Sequence, residues 1–526
     1  MPMKKQNNGA DSQGSEQANR LSSDIEDNIR YAQDTLGTGP DILIRRLHLF
    51  QESKAAVLSI AGITDKASVN LLVDSMLSEY REQSGLAREG DPFQALLYRM
   101  LAVGGIRSLE TLYDLDVAML EGLSVVLLDG YDRALAVNTG GGERRGVEEP
   151  STQTVVRGPK EGFAESILTN ISLLRTKIKS PNLRIEYKII GQQTRTTVAV
   201  AYMKGISEDK VVNEVHRRLD AIETDSILDS GYIEEFIHEK KYSPFPLLQN
   251  TERPDAIAAG LLEGQVAIIV DGSPFALLAP VTFFKFFQSS EDYYQSYDIA
   301  TFLRVIRFVS FFASMLLPSL YIAITTFHQE MLPTPLLISI AAQREGVPFP
   351  AIIEAMIMEL TFEILREAGV RMPRIIGSAI SIVGALVLGQ AAVQAGLISA
   401  AMVIVVSFTA IASFVIPAVN MGTSARLIRF AMMILAGSFG VFGIMAGLMV
   451  LLTHLSGLRS FGVPYLTPIS PLVKNNLKDV FVRAPWWAMN KRPALFGKPG
   501  TSRQGKQEKK AISSQSGKSG EEEEGQ

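Results

Sequence analysis

One segment of the sequence, residues 351–370, combines an apolar helical pattern with four glutamates. Three of the glutamates recur every four residues, so on a helix they form one stripe, and the fourth lies on the opposite side. Carboxylates on an apolar helix need water, a basic partner or an interfacial position. The stripe could face headgroup water, which the residues alone favour, or line an aqueous pathway and attract cations, as acidic rings do in channels. The candidate pore or gating residues, on an acidic helix at 351–366 and just beyond it, are Glu354, Glu359, Glu363, Glu367 and Arg366.

Long apolar runs surround the acidic helix. Four uncharged stretches reach the length of about 20 residues that a membrane-spanning helix needs, and all of them follow residue 300. Four such stretches in succession predict an all-α polytopic transmembrane domain at 289–457, with an aromatic belt at Tyr293, Tyr294 and Tyr297. The spans built on these stretches lie near 304–327, 375–393, 397–417 and 428–454. Small residues suited to close helix packing are Ser381, Ala385, Gly389, Gly443 and Gly447.

The number of membrane crossings is left open by the sequence. Four prolines between residues 332 and 351 exclude one continuous helix there and suggest a re-entrant or broken segment. If the acidic helix crosses, there are five spans and the C-terminal tail lies outside. If it does not cross, four spans return the tail to the cytosol. We adopt the second arrangement because the tail is basic, with a cytoplasmic N-terminal domain and a basic, then acidic, largely disordered tail at 458–526.

The first half of the chain predicts a soluble α/β region. The stretches at 120–137 and 262–279 align without a gap at an offset of 142 residues, and each contains Asp-Gly between two β-rich runs. The offset predicts a duplicated unit, and the Asp-Gly pairs, Asp129-Gly130 and Asp271-Gly272, favour hairpin turns rather than a membrane span. The predicted parts are a disordered N-terminal segment at 1–35, a first α/β subdomain at 36–140, a linker at 141–155 and a second α/β subdomain at 156–288.

Composition excludes several classes of function. Lys and Arg number 51 and Asp and Glu 55, so the net charge of -4 favours no nucleic-acid partner. Cysteine is absent, which excludes disulfides and cysteine-metal sites. The five histidines have no metal-ligand spacing, and no serine lies in a Gly-x-Ser-x-Gly motif. We therefore expect no catalytic residue, no metal and no cofactor, and a protein that is not an enzyme.

Several long motifs resemble a known family. The stretches "VRGPKEGFAESILTNISLLRTKIKSPNLRIEY" (156–187), "SPFPLLQNTERPDAIAAGLLEG" (243–264) and "ELTFEILREAGVRMPRIIGSAISIVGALVLGQAAVQAGLIS" (359–399) resemble the A subunit of the GerA spore-germination receptors. The resemblance covers most of residues 156–417. It implies a multi-pass protein of the inner spore membrane that oligomerises into a nutrient-gated cation channel. It also implies two partners, a transporter-like B subunit thought to bind the nutrient and a lipoprotein C subunit.

The first of these motifs contains three charged residues that flank or lie on the helix entering the second subdomain. We expect them to hold the two subdomains together through charge-assisted hydrogen bonds, although a solvated helix face explains them about as well. They are Arg157, Glu165 and Arg175.

Three functions are compatible with the sequence: a subunit of a nutrient-gated cation channel that triggers germination, a secondary transporter, and a non-conducting membrane scaffold. A transporter favours repeated membrane halves, whereas the repeat in this sequence lies in the soluble half. The family resemblance favours the channel, and with it the interpretation of the acidic stripe as the lining of a pathway.

Overall fold

The computed structural model describes residues 19–49, 53–82, 93, 105–141, 149–150, 153–240, 242–371, 389–489, 492, 496–498 and 503. In these residues the chain forms two α/β subdomains, then a helical region, and then a C-terminal segment that returns to the second subdomain. Most of the predicted linker at 141–155 lies outside the described residues.

The first subdomain is an antiparallel five-stranded sheet with helices on both faces. Its elements are helix α1 (Ile25–Leu36), strands β1 (Ile42–Leu49) and β2 (Ser53–Ile60), helix α2 (Lys66–Glu82), strand β3 (Ile106–Leu109), helix α3 (Leu112–Leu120), and strands β4 (Leu123–Leu128) and β5 (Ala134–Asn138). The strand order is β1-β2-β4-β5-β3. Successive side chains of a strand point to opposite faces. Ala56 and Leu58 of β2 therefore pack with one helix layer, and Ala55 and Val57 pack with the other.

The second subdomain repeats this arrangement. Its elements are helix α4 (Ile167–Lys177), strands β6 (Leu183–Ile190) and β7 (Thr196–Met203), helices α5 (Asp209–Asp220) and α6 (Ser230–Ile237), strand β8 (Gln249–Thr251), helix α7 (Pro254–Glu263), and strands β9 (Val266–Val270) and β10 (Ala276–Ala279). The strand order, β6-β7-β9-β10-β8, is that of the first sheet. Val126 pairs with Leu135 and Ile268 pairs with Leu277, so the register also repeats 142 residues later. The two subdomains therefore share one topology, as a duplicated unit requires.

Each Asp-Gly pair lies in a hairpin turn and also contacts the start of its subdomain's first helix. The Asp129 carboxylate accepts a hydrogen bond from the Ile25 amide at 3.4 Å, and the Asp271 carboxylate accepts one from the Ile167 amide at 3.0 Å. The glycine that follows each aspartate has a φ of 86°, in the left-handed region that glycine favours. An anionic side chain is favourable where first-turn amides have no helical partner, so each turn joins a hairpin to a helix.

The prediction that residues 1–35 are disordered is wrong for residues 25–35. Residues 25–35 form most of α1, which begins after Asp24; the carboxylate of Asp24 accepts a hydrogen bond from a first-turn amide at 2.8 Å. Ile25, Ile29 and Leu36 are buried in the core of the first subdomain because their spacing places them on one helical face. Residues 1–18 lie outside the described residues.

The described part of the helical region consists of α-helices connected by loops and short 3₁₀ turns. Its helices are α8 (Tyr297–Thr326), α9 (Thr334–Arg344), α10 (Ala351–Arg371), α11 (Ala400–Phe414) and α12 (Val419–Ser456). Among the described residues, α8 and α12 are long and apolar enough to cross a bilayer. Helix α11 has 15 residues, or about 22 Å, less than the hydrocarbon thickness of about 30 Å. Ser381, Ala385 and most of the predicted span at 375–393 lie outside the described residues.

The predicted span near 428–454 is not one straight helix. Ser424, near the start of α12, donates a hydrogen bond to the Pro244 carbonyl, and His454, near its end, is hydrogen-bonded to Ser243 at 2.9 Å. Thirty residues of straight helix would separate the two positions by about 45 Å. Since both contact neighbouring residues of one loop, α12 must fold back on itself.

The reversal occurs at Gly440, which has a φ of 62° and a ψ of -142°. A Cβ at this position would lie 2.8 Å from a ring carbon of His328. Past the reversal, a Cβ at Gly447 would lie 2.6 Å from the sulfur of Met432, and one at Gly443 would clash with the Leu435 carbonyl. Both glycines therefore permit close approach between the two legs of α12, residues 419–439 and 441–456. The 21 residues of the first leg measure about 31 Å and the 16 of the second about 24 Å.

The C-terminal segment, residues 458–489, was predicted to belong to a largely disordered tail, and the structure differs. Tyr465 is fully buried, and its hydroxyl donates to the Pro246 carbonyl at 2.8 Å. The Ser460 hydroxyl donates to the Leu247 carbonyl at 2.7 Å. The segment joins an aromatic core shared with the second subdomain and α8. Its basic residues, which predicted a solvated tail, obscured this apolar pattern.

Candidate functional site

The acidic stripe of α10 faces arginines of α12. Glu359 accepts a hydrogen bond from Arg429 at 2.6 Å, and both side chains are 0% exposed. A charge this deeply buried costs several kcal/mol unless it is paired and hydrogen-bonded. The pair therefore fixes one turn of α10 against the first leg of α12.

Glu363 extends the pairing by one turn. Its carboxylate is 3.2 Å from Arg426, 2.8 Å from Arg366 of its own helix and 3.6 Å from Arg429. The two glutamates are four residues apart on α10, and Arg426 and Arg429 are three apart on α12, so each pair presents one helical face. We call Glu359, Glu363, Arg366, Arg426 and Arg429 the charge network.

The charge network supplies the acidic stripe with basic partners. Two carboxylates face three guanidinium groups, so the network carries one net positive charge. Of the three ways to relieve carboxylates on an apolar helix (water, a basic partner or interfacial depth), the described chain uses the basic partner. Glu367, the last member of the stripe, pairs with Arg371 of its own helix at 2.6 Å, and both side chains are mostly exposed.

Glu354 has a different role. It is fully buried on the other side of α10, and it accepts hydrogen bonds from the amide of Ser399, at 2.6 Å, and from its hydroxyl. Ser399 is the N-cap of α11, and the Tyr321 hydroxyl of α8 lies 3.4 Å from it. A carboxylate at a helix N-terminus is stabilised by the unpaired amides there. Glu354 therefore joins α10, α11 and α8.

A cleft of about 460 Å³ connects the charge network to the second subdomain. Glu234 of α6 and His238, which directly follows that helix, line one side, and Arg426 and Glu363 line the other. Burial, followed by the charge of Asp229, raises the pKa of Glu234 to about 7. Burial lowers the pKa of His238. The soluble subdomain thus presents titratable groups to the network.

A second buried cluster holds the start of α8. Arg304 is fully buried and pairs with Asp292 at 3.1 Å and with Asp479 of the C-terminal segment at 2.8 Å. Arg307, one turn further on, pairs with Asp292 at 2.6 Å. Tyr293, which was assigned to an aromatic belt, donates its hydroxyl to Asp479 at 2.7 Å. This cluster was not predicted from the sequence, although two arginines lie three residues apart at the start of a span-like helix.

Of the three residues expected to connect the subdomains, Arg175 makes a contact between them. Its guanidinium binds Asp41, before β1, through two nitrogens at 2.6 and 2.8 Å, and both side chains are 1% exposed. The Tyr187 hydroxyl donates to the same carboxylate at 3.1 Å. Arg157 and Glu165 have exposed side chains, as a solvated surface predicts.

The remaining packing candidate, Gly389, is less crowded than the glycines of α12. A Cβ there would lie 3.7 Å from Val403, an ordinary contact distance. Of the three glycines predicted to pack closely, Gly443 and Gly447 are therefore the crowded ones, and both lie between the two legs of α12.

The chain matches known proteins over most of its length. Residues 30–495 match the family described as Bacillus/Clostridium GerA spore germination protein. Spore germination protein KA of Bacillus subtilis (strain 168) is 47% identical over 93% of this chain and 90% of that protein. Spore germination protein GerLA of Bacillus cereus is 40% identical over 88% of this chain and 94% of that protein. The crystal structure of the N-terminal domain of the A subunit of the Bacillus megaterium spore germinant receptor GerK3 is 34% identical, covers 50% of this chain and 97% of that chain, and has a TM-score of 0.41.

Proposed function

Because the chain belongs to the GerA family of spore germination proteins, we propose that it is a membrane subunit of a spore nutrient-germinant receptor. In this proposal several copies assemble in the inner spore membrane around a cation pathway that opens when the receptor detects a nutrient. A transporter-like B subunit and a lipoprotein C subunit complete the receptor, and the α/β subdomains lie in the cytoplasm.

The observation that carries the proposal is the buried charge network between α10 and α12. Two apolar helices could pack through apolar side chains alone, and that contact would often be equally stable. Ionisable residues buried among span-like helices are costly and usually mark a pathway or a moving part. Separating Glu359 from Arg429 would free a carboxylate on α10, and free carboxylates along a pathway attract cations. The network is thus suited to a closed arrangement that opening must disrupt.

The test separates charge from packing. Glu359→Gln alone leaves Arg429 buried without its main partner, a change that costs about 3–5 kcal/mol when a buried pair is broken. The double variant Glu359→Gln with Arg429→Gln removes both charges, and the two side chains keep donors and acceptors for each other. The matched control is Glu367→Gln, the same change on the same helix in a pair that is mostly exposed.

Spores carrying each variant as their only receptor of this type are exposed to the nutrient, and potassium release is recorded beside the receptor level by immunoblot. We expect the double variant to accumulate normally and to release cations abnormally: faster if loss of the pair favours opening, slower if the carboxylate is needed for conduction. Glu367→Gln should behave like the parent. Parental release from a normally accumulated double variant would refute the assignment of the network to gating or conduction.

A non-conducting membrane scaffold is the alternative that one observation favours. The C-terminal segment and the second subdomain share a continuous aromatic core with α8 and α12, so the protein could transmit a signal rigidly. This function predicts that purified protein in vesicles passes no current with or without its partner subunits, whereas the channel predicts a cation conductance in the assembled receptor.

A further inference from the structure

A second cleft lies where the second subdomain meets the start of α8. Its volume is about 360 Å³, and it is bounded by α7, by the aromatic stretch that precedes α8 and by the C-terminal segment. Aromatic side chains, called the aromatic wall below, and basic side chains line it. The aromatic residues are Tyr293, Tyr294 and Trp486, and the basic residues are Lys285, Arg492 and Arg503.

The charges around this cleft do not balance. Glu263 is shared by Lys285, at 3.4 Å, and Arg503, at 3.1 Å. The other lining carboxylate, Asp255, is occupied by Arg253 at 2.8 Å. No carboxylate among the described residues pairs with Arg492, whose pKa is lowered by burial and by the neighbouring charge of Arg503. Lys285, Arg492 and Arg503 thus have one carboxylate, that of Glu263, to balance their three positive charges. The cleft therefore carries excess positive charge and favours an anion.

A buried arginine beside the aromatic wall adds to this positive charge. Arg483 is 3% exposed, and its Nε and one terminal nitrogen have no hydrogen-bond partner among the residues that the structure describes. The guanidinium carbon lies 5.3 Å from the ring centre of Trp486 and 5.8 Å from that of Tyr293, two residues of the aromatic wall. Arg483 does not itself line the cleft, but its buried positive charge lies against two aromatic residues that do, and it adds to the positive potential that favours an anion there.

The position of the cleft identifies the kind of anion. The ring of Trp487 contacts the ring of Tyr297, the first residue of α8, with centroids 5.9 Å apart. Trp487 is 60% exposed and Trp486 is 43% exposed, next to the exposed Val482. Exposed tryptophans beside the start of a span-like helix are typical of the headgroup level of a membrane. Basic side chains at that level attract anionic lipids.

We propose that this cleft binds the phosphate-bearing headgroup of an anionic membrane lipid, with Arg492 and Arg503 facing the phosphate and Trp486 at the boundary of the acyl chains. The proposal rests on α8 entering the membrane at Tyr297, as in the proposed function, but it does not depend on ion conduction. Bound lipid would complete the contact between the C-terminal segment and the second subdomain.

The test uses the intrinsic fluorescence of the protein, because the chain has only two tryptophans: Trp486 lines the cleft, and Trp487 is next to it in the chain. Full-length protein is purified in a neutral detergent, freed of lipid and titrated with short-chain phosphatidylglycerol, with phosphatidylcholine of the same chain length, and with glycerol phosphate. We expect a saturable change with phosphatidylglycerol only. The double variant Arg492→Gln with Arg503→Gln should bind roughly 30-fold more weakly, since each cation near an anionic surface contributes about fivefold.

Two controls keep the result interpretable. Arg30→Gln removes an exposed cation of the first subdomain and should bind like the parent. Arg492→Gln alone removes charge without breaking an ion pair among the described residues, so it tests the site if the double variant is unstable. Equal binding of phosphatidylcholine, or binding of glycerol phosphate as tight as that of the lipid, would overturn the proposal. Because no nutrient or ion flux is involved, failure here would leave the proposed channel function untouched.

Discussion

Replacing Arg175 with methionine should loosen the two subdomains from each other. The substitution leaves the Asp41 carboxylate buried, with the Tyr187 hydroxyl at 3.1 Å as its remaining described side-chain partner. Removing one member of a buried ion pair costs about 3–5 kcal/mol, so the population of the separated arrangement should rise by roughly two to four orders of magnitude. Asp41→Ala should have a similar effect. The double variant should cost clearly less than the sum, because it leaves no uncompensated charge.

Hydrogen exchange of the intact protein can measure this effect. Peptides covering 36–45 and 170–180 report on both sides of the contact, and their opening free energies give the magnitude directly. The control is Arg30→Met, which removes an arginine 3.7 Å from Asp27 in an exposed pair and should cost no more than about 1 kcal/mol. If Arg175→Met alters exchange at these peptides no more than Arg30→Met does, the contact between the subdomains contributes nothing and the reasoning fails.

Three further variants test other parts of the structure. The folded protein holds a proton on Glu234 between its ordinary pKa of 4.5 and its pKa of about 7, so its stability falls as the pH rises through that window. Glu234→Gln should therefore leave the melting temperature unchanged at pH 4 and raise it at pH 8. The gain in the free energy of unfolding at pH 8 should be up to about 3 kcal/mol. Gly440→Ala forces a side chain into a left-handed position close to His328 and should cost about 1–3 kcal/mol in thermal unfolding, whereas Gly389→Ala should be nearly neutral. Asp292→Asn removes the carboxylate shared by two arginines and should make residues 458–489 accessible to a protease in limited digestion.

The duplicated soluble unit could be predicted because its signals are local. A hairpin turn depends on a few neighbouring residues, and Asp129 and Asp271 with their glycines sit at one offset. Asn28 and Asn170 also lie at this offset. Asn28 exchanges two hydrogen bonds with the backbone of Ser22, and Asn170 does the same with Ala164. These repeated contacts, which join the first helix of each subdomain to the residues just before it, would have moved the predicted start of the first subdomain from residue 36 to about 21.

The partners of the acidic stripe could not be predicted, because they depend on how distant helices pack. Glu359 and Arg429 are 70 residues apart in the chain, and several other arginines were equally good candidates from sequence alone. The reversal of α12 at Gly440 was hidden for a related reason. Both legs are apolar, so the average hydropathy of a window does not fall where the chain turns back. Only the glycine marked the position, and α12 contains several glycines.

The charge network and the buried cluster around Arg304 and Arg307 follow one physical pattern, which explains how span-like helices can carry arginines. Arg304 and Arg307 enter α8 one turn apart and meet aspartates from the preceding loop and the C-terminal segment. The arginines of α12 meet glutamates of α10 in the same way. Because an unpaired guanidinium is so costly in an apolar environment, each cluster fixes the position of its helix relative to the element that supplies the carboxylates. Any rearrangement that opens a pathway along α10 must therefore provide Arg429 with water or another acceptor. Glu363 is half-buried, and its carboxylate lies 3.6 Å from Arg429, so it can accept the hydrogen bond that Arg429 loses. We therefore expect Glu363 to lower the barrier to separating Glu359 from Arg429.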